Sequence, residues 1–344
     1  MKRTIIIALL LASAAFAAED KAPELTKLAI KNLADLPETP NLSWNLGPTG
    51  ARGWIYGAHG NRGTLGHEIL VTAVEKGSPA NGVLQPFDVL LGANGRAFTA
   101  DARRGLGAAI TVSEATGVLR LTRWRDGKTS EVELRLEVFG AYSATAPFTC
   151  AKSQKIFEQA CRFLAEQMPP EGFTGVGGCL DGLLLLASGR PEYLDHVRRT
   201  AYRVGPPKDR GLSNWGWSYD ALLLAEYHLA TGDTNVVPWL AEYARVLAAG
   251  QAKSGSWGHN PAVDGMTEGY GEVNAVGLIC FMSLVLTKEC GVKVDEAALA
   301  RSMAFFRKYT GRGTIPYGDH EPWLENLHDN GKNGMTAVVY DLLN

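Results

Sequence analysis

Four glycine-rich stretches gather side chains that can do chemistry. They are Trp215-Gly216-Trp217-Ser218-Tyr219-Asp220, Gly255-Ser256-Trp257-Gly258-His259-Asn260, Glu268-Gly269-Tyr270-Gly271-Glu272-Val273-Asn274 and Ile315-Pro316-Tyr317-Gly318-Asp319-His320. Aromatic rings stack on sugar faces or apolar rings, and paired carboxylates near a cleft can divide the work of acid and base. Helix caps need neither histidine nor glutamate, so Glu268, Glu272, Asp319, His320 and His259 form the candidate catalytic set. Asp181, Asp220 and Asn274 precede aliphatic runs and read most simply as N-caps, and Trp217 and Trp257 as braces for glycine loops. His259, Asp319 and His320 could hold a metal only without His-x-x-x-His or Cys-x-x-Cys spacing, so neither metal nor cofactor is expected. Gly-x-Ser-x-Gly, P-loop and strand-borne dinucleotide motifs are absent as well, which argues against serine esterase, P-loop and Rossmann functions.

Helices must position these loops. Amphipathic stretches at 154–167, 193–204, 237–247 and 296–309 alternate with more uniformly apolar ones at 180–187, 219–230, 273–286 and 336–343. A helix that is apolar all round must be buried, whereas an amphipathic one can cover it, so the alternation predicts an inner and an outer ring of helical hairpins. An α/α toroid closes such a pattern, and loops at the N-termini of its inner helices converge on one mouth. The sequence stops at Asn344 inside an apolar stretch, short of the helices a toroid needs, and so reads as part of a longer protein.

A different texture precedes the helices. Short β-rich runs at 53–56, 68–74, 88–93, 118–124 and 131–138 are separated by Gly, Pro and Asn, with one helix at 102–110 behind Asp101. Asp126-Gly127 supplies a hairpin turn between two of the runs. The expected result is a small, partly open β-barrel with one flanking helix. Val74-Glu75-Lys76-Gly77-Ser78-Pro79-Ala80, then Phe87-Asp88-Val89-Leu90-Leu91 and Asn94-Gly95, resemble PDZ domains in order and spacing, with Phe87 where that family has glycine. The resemblance implies capture of a protein C-terminus or an extended peptide by strand addition beside a glycine loop. The matching loop is Gly50-Ala51-Arg52-Gly53-Trp54-Ile55, with Ala51 and Arg52 between glycines where the family has Gly-Leu-Gly-Phe. Arg52 there either pairs with an anion or is solvated on an ordinary glycine turn.

The two parts together resemble a bacterial family of exported proteins, without an assigned activity, through the stretches 255–259, 315–320 and 330–334. At fold level the helical part is similar to the toroids of terpenoid cyclases, protein prenyltransferases and polysaccharide lyases or glycosidases. No Asp-x-Asp-Asp acid motif supports cyclisation, and glycan chemistry fits export best. The expected function is a peptide-binding scaffold, and the alternative is a glycan-active hydrolase or lyase acting on a polysaccharide.

Bulk properties agree with export. Met1-Lys2-Arg3, the apolar run 5–16 and Ala15-Phe16-Ala17 form a secretory signal, so a mature chain starting near Ala18, periplasmic or secreted, is expected. No later run reaches the roughly 20 apolar residues of a membrane span. A net charge of −2 from interspersed residues leaves no basic field for nucleic acid. The domain reading is a signal peptide at 1–17, a linker or docking helix at 18–43, the PDZ-like module at 44–140, a linker at 141–152 and the helical domain at 153–344. Of five cysteines, Cys161, Cys179 and Cys280 read as small buried apolar residues, and a Cys150–Cys161 bridge stays open.

Overall fold

The computed structural model describes residues 43–56, 67–99, 101–208, 211–269, 271–309 and 318, with the backbone alone for 54–56 and 309. The expected signal peptide, the segment 18–42, Tyr270, Ile315 to Tyr317, Asp319, His320 and the last apolar stretch lie outside the described residues. The chain divides into two compact units between Phe157 and Glu158.

The first unit is an antiparallel sheet with one helix. Its strands are β1 (Trp44–Asn45), β2 (Ala51–Tyr56), β3 (Glu68–Val74), β4 (Val89–Ala93), β5 (Arg96–Ala97), β6 (Val118–Arg125) and β7 (Lys128–Arg135), with helix α1 (Ala102–Ser113) between β5 and β6. The pairing order is β1-β2-β3-β4-β6-β7, with β5 on β4. Among the described residues no pair closes this path into a barrel. Leu46, Ile69, Val71, Leu90, Phe98, Leu106, Leu119, Leu121 and Leu134 share its core.

Local chemistry explains these elements. Asp101 caps α1 by accepting the Arg103 N–H at 3.0 Å, as its position predicts. Asp126 and Gly127, with φ of 49° and 78°, make the tight β6–β7 turn that pairs Arg125 with Lys128. Phe87 adopts a φ of 74° where a bulky residue is strained, and its ring is half exposed. Asp88 beside it is fully buried, accepts from the Arg125 guanidinium at 2.5 and 2.6 Å and takes the Gln85 N–H at 2.9 Å. Arg123 and Arg125 also donate to the Val83 carbonyl, so the turn leading into β4 is fixed from two sides.

The region expected as a free linker is ordered within this unit. Lys152 has no exposed side-chain surface, pairs with Glu114 at 2.5 Å, donates to the Thr111 carbonyl and lies 4.4 Å over the Tyr142 ring. Lys155 pairs with Glu137 at 3.0 Å. Helix α2 (Ala151–Gln167) begins here, and Cys150 at its start accepts the Ser143 N–H. Hydrogen bonds from Ser153, then from the Ser143 backbone, lower the Cys150 thiol to about 6. Cys150, just before α2, and Cys161, within it, are both free thiols. The open bridge reading is thereby excluded, whereas Cys161, Cys179 and Cys280 are buried as expected.

The second unit is helical: the rest of α2, then α3 (Gly175–Ala187), α4 (Leu194–Val204), α5 (Ser213–Thr231), α6 (Val237–Ala249), α7 (Asn274–Glu289) and α8 (Glu296–Phe306). α5 packs on both α3 and α7, α4 and α6 lie against this row, and α8 covers α7. The three apolar helices α3, α5 and α7 thus pack side by side in one row. No helix among the described residues is long and apolar enough to cross a membrane.

None of the three expected caps, Asp181, Asp220 and Asn274, is a cap. Asp181 and Asp220 lie inside α3 and α5, because the glycine-rich stretches before them join the helices, and Asn274 is the first residue of α7 behind Val273. Glycine is required at helical position 178, where a Cβ would stand 2.7 Å from Phe173 Cβ. Asp220, 1% exposed, accepts from Cys179 Sγ at 3.3 Å and from the Tyr243 hydroxyl at 3.1 Å, tying α3, α5 and α6 together. Trp257 braces its loop as expected, fully buried and donating to the Leu247 carbonyl at 2.8 Å.

Arg125→Ala should lower the unfolding free energy by about 2–3 kcal/mol in urea titrations, since it leaves the buried Asp88 carboxylate unpaired. A loss of a few tenths would mean that the pair contributes little.

Candidate functional site

Helix α5 starts behind Leu212, a left-handed residue with φ of 60°, and has no side-chain cap of its own. Its first N–H groups are satisfied by a loop some 45 residues later in the chain. Ser213 donates to Asn260 Oδ1 at 3.2 Å and Asn214 to the His259 carbonyl at 3.1 Å. The buried Asn214 side chain adds a bond to the Gly258 carbonyl at 2.9 Å. A free helix N-terminus thus holds the loop carrying His259.

Trp215 stands at the same place. Its indole N–H donates to His259 Nδ1 at 2.8 Å, and an indole can only donate, so the neutral imidazole carries its proton on Nε2. The Trp215 ring stacks on Tyr219 at 6.3 Å and 5°, and on His259 at 6.3 Å and 25°. Burial pushes the Tyr219 phenol up, so it stays a neutral donor.

Further backbone pairing brings the other loops alongside. Gly258 pairs antiparallel with Glu272, Val273 pairs with Gly318, and the Val273 N–H reaches the Trp257 carbonyl at 2.9 Å. A Cβ on Gly258 would lie 2.7 Å from the Gly271 carbonyl oxygen, so the close approach requires glycine. The half-buried His259 and the buried Glu272 therefore sit on neighbouring segments at the starts of α5 and α7. Glu268 is exposed, following a tight hairpin that pairs Val263 with Met266. Asp319 and His320 are outside the described residues, although their neighbour Gly318 is in this group.

The sequence reading undervalued two groups. The Trp215–His259 bond was hidden because the partners are 44 residues apart, although both stretches showed tryptophan next to glycine. Asp181, set aside as a cap, is half-buried in α3, and burial raises its carboxyl above the usual range.

The glycine loop of the first unit has a different geometry. Gly50 to Gly53 lie at the start of β2, and β1 pairs with β2 antiparallel, Trp44 opposite Gly53 and Asn45 opposite Arg52. The donors that would hold a terminal carboxylate are engaged. The Gly50 N–H goes to the Gly47 carbonyl and the Ala51 N–H to Thr49 Oγ1. Arg52 donates to the Ser43 carbonyl and hydroxyl in solvent-exposed contacts. From Trp54 to Tyr56 the strand continues, paired with β3 at Leu70, Ile69 and Glu68.

Comparison with known proteins gives one match by family. A family model described as a domain of unknown function, DUF6288, matches residues 153–344. No curated protein matches the chain.

Asp181 offers a test by pH. A carboxyl whose folded value is raised contributes stability that is present in acid and lost as pH rises through that value. Asp181→Asn should therefore unfold at higher urea than the unaltered chain at pH 7 and coincide with it below about pH 4. Coincidence at both pH values would show that the carboxyl is not strained by burial.

Proposed function

The chain belongs to the DUF6288 family through residues 153–344, and we propose that it is an exported binding scaffold in which a PDZ-like module takes up an extended peptide. The helical unit, read as part of an α/α toroid, supplies a second binding surface. One observation carries the peptide reading: the outer edge of β2 already accepts an extended segment, antiparallel, at Arg52 and Gly53, and the strand runs on to Tyr56. An edge that accepts one strand presents the same alternating N–H and C=O groups to another. With the loop donors engaged, the ligand is the interior of an extended segment rather than a chain end. The N-terminal signal supports action in the periplasm or outside the cell.

A second reading has its own support. The half-buried Trp215 and His259, stacked together and backed by the buried Tyr219, lie beside the segment bearing Glu272, which suits a pyranose ring. This is a glycan-active hydrolase or lyase, with Asp319 and His320 as further candidate groups. Reducing-sugar release or unsaturated-uronide absorbance, lost in Glu272→Gln, would establish it.

The peptide reading predicts saturable fluorescence polarisation with labelled extended peptides. Free-acid and amidated forms should bind within a factor of about two of each other. Silence across a broad panel would overturn the reading, and a free-acid preference above about tenfold would restore carboxylate capture.

A further inference from the structure

Resting on the peptide-binding reading, we infer that residues Ser43 to Leu46 are the module's own occupant of the strand-addition edge. An external segment gains the Arg52–Gly53 part of that edge only by displacing them.

The four residues are held as a bound peptide would be. Backbone pairing places Trp44 and Asn45 antiparallel to β2, and the Leu46 N–H donates to the Ala51 carbonyl at 3.0 Å. Leu46 puts its side chain into the core at 9% exposure, beside Ile69. Gly53 makes room for it, since a Cβ there would stand 2.9 Å from Leu46 Cδ1 and 2.7 Å from Ile69 Cγ2. One apolar side chain in a pocket and an extended backbone on a strand are the two elements of strand-addition recognition.

Polar contacts set the other end. Ser43 receives Arg52 Nε on its hydroxyl at 3.2 Å and Arg52 Nη2 on its carbonyl at 2.5 Å. Its hydroxyl also meets Thr72 Oγ1 at 2.7 Å. Thr72 is the residue that the β2–β3 register skips, Ala73 facing Arg52 and Val71 facing Gly53. The irregularity in β3 thus supplies a contact specific to the occupant.

The hold is also limited. Strand β1 has two residues, Trp44 is 52% exposed, and the Arg52 bonds to Ser43 are solvent-exposed. Exposed polar contacts are the ones water replaces most readily, so one side chain, Leu46, is the anchor. Arg52 would serve the internal segment and an external strand alike, so the Ser43 side chain, which belongs to the internal segment only, is the group whose loss discriminates between them.

The test uses the full chain in three forms: unaltered; Trp44→Gly with Asn45→Gly and Leu46→Ala; and Ser43→Gly alone. The second opens the edge, and the third loosens the segment while leaving Leu46 in the core, so it reports even if the second fails to fold. The probe is an amidated, fluorescein-labelled peptide, Asn-Leu-Ser-Trp-Asn-Leu, copying residues 41–46. Binding at least about tenfold tighter to the opened chain, with the Ser43→Gly form between, is expected, because the probe keeps the serine contacts that the internal segment has lost. Equal affinity in all three forms would overturn self-occupation and leave the peptide reading intact. Weaker binding in the Ser43→Gly form than in the unaltered chain would also overturn it. No binding to any form, together with silence across the peptide panel, would overturn both.

Discussion

The candidate site in the helical unit depends on an uncapped helix. The first N–H groups of α5 have no local side chain to accept them, and leaving them bare in a buried place would be costly. The loop 258–260 supplies the acceptors, and in doing so it is fixed at three points to Ser213 and Asn214. His259 is positioned as a by-product of satisfying a helix end. The neighbouring pairings of Gly258 with Glu272 and Val273 with Gly318 extend the same backbone logic to the start of α7.

Burial of polar groups follows a similar rule elsewhere. Asp220 holds two donors from two other helices, and Gln251 reaches the Ala298 carbonyl and Ser302 Oγ from the end of α6. Gly255, with φ of 105°, lies so close to Arg301 that a Cβ would stand 2.3 Å from its carbonyl oxygen. These contacts join sequence-distant residues, and the loops 251–255 and 258–260 are each held by a helix elsewhere in the chain.

What the sequence revealed and what it hid have physical causes. The β6–β7 hairpin and the start of α1 were legible, because a left-handed turn and an N-cap are decided by a few adjacent residues. The apolar runs also marked α3, α5 and α7, which pack side by side. The starts of α3 and α5 were not legible, since glycines that usually break helices lie inside them, Gly178 of α3 in close approach to Phe173. Strand β1 escaped notice because two residues, Trp44 and Asn45, carry no periodicity, and their pairing is set by Arg52, Thr72 and Leu46. Of the candidate site, the residue types were readable, whereas the 44-residue link from Trp215 to His259 was not.

The anchoring of α2 bears on what counts as a module. The family match begins at residue 153, whereas the compact units part between Phe157 and Glu158. The residues 153–157 therefore belong by descent to one block and by folding to the other, and Lys152, wholly buried against Glu114, stands just outside the match. Recombination at the edge of the match would separate Lys152 from the rest of its helix, so a partner block can be exchanged only if it supplies a new first turn for α2. Shuffling of such domains is constrained less by where similarity starts than by where a buried charge has its counterion.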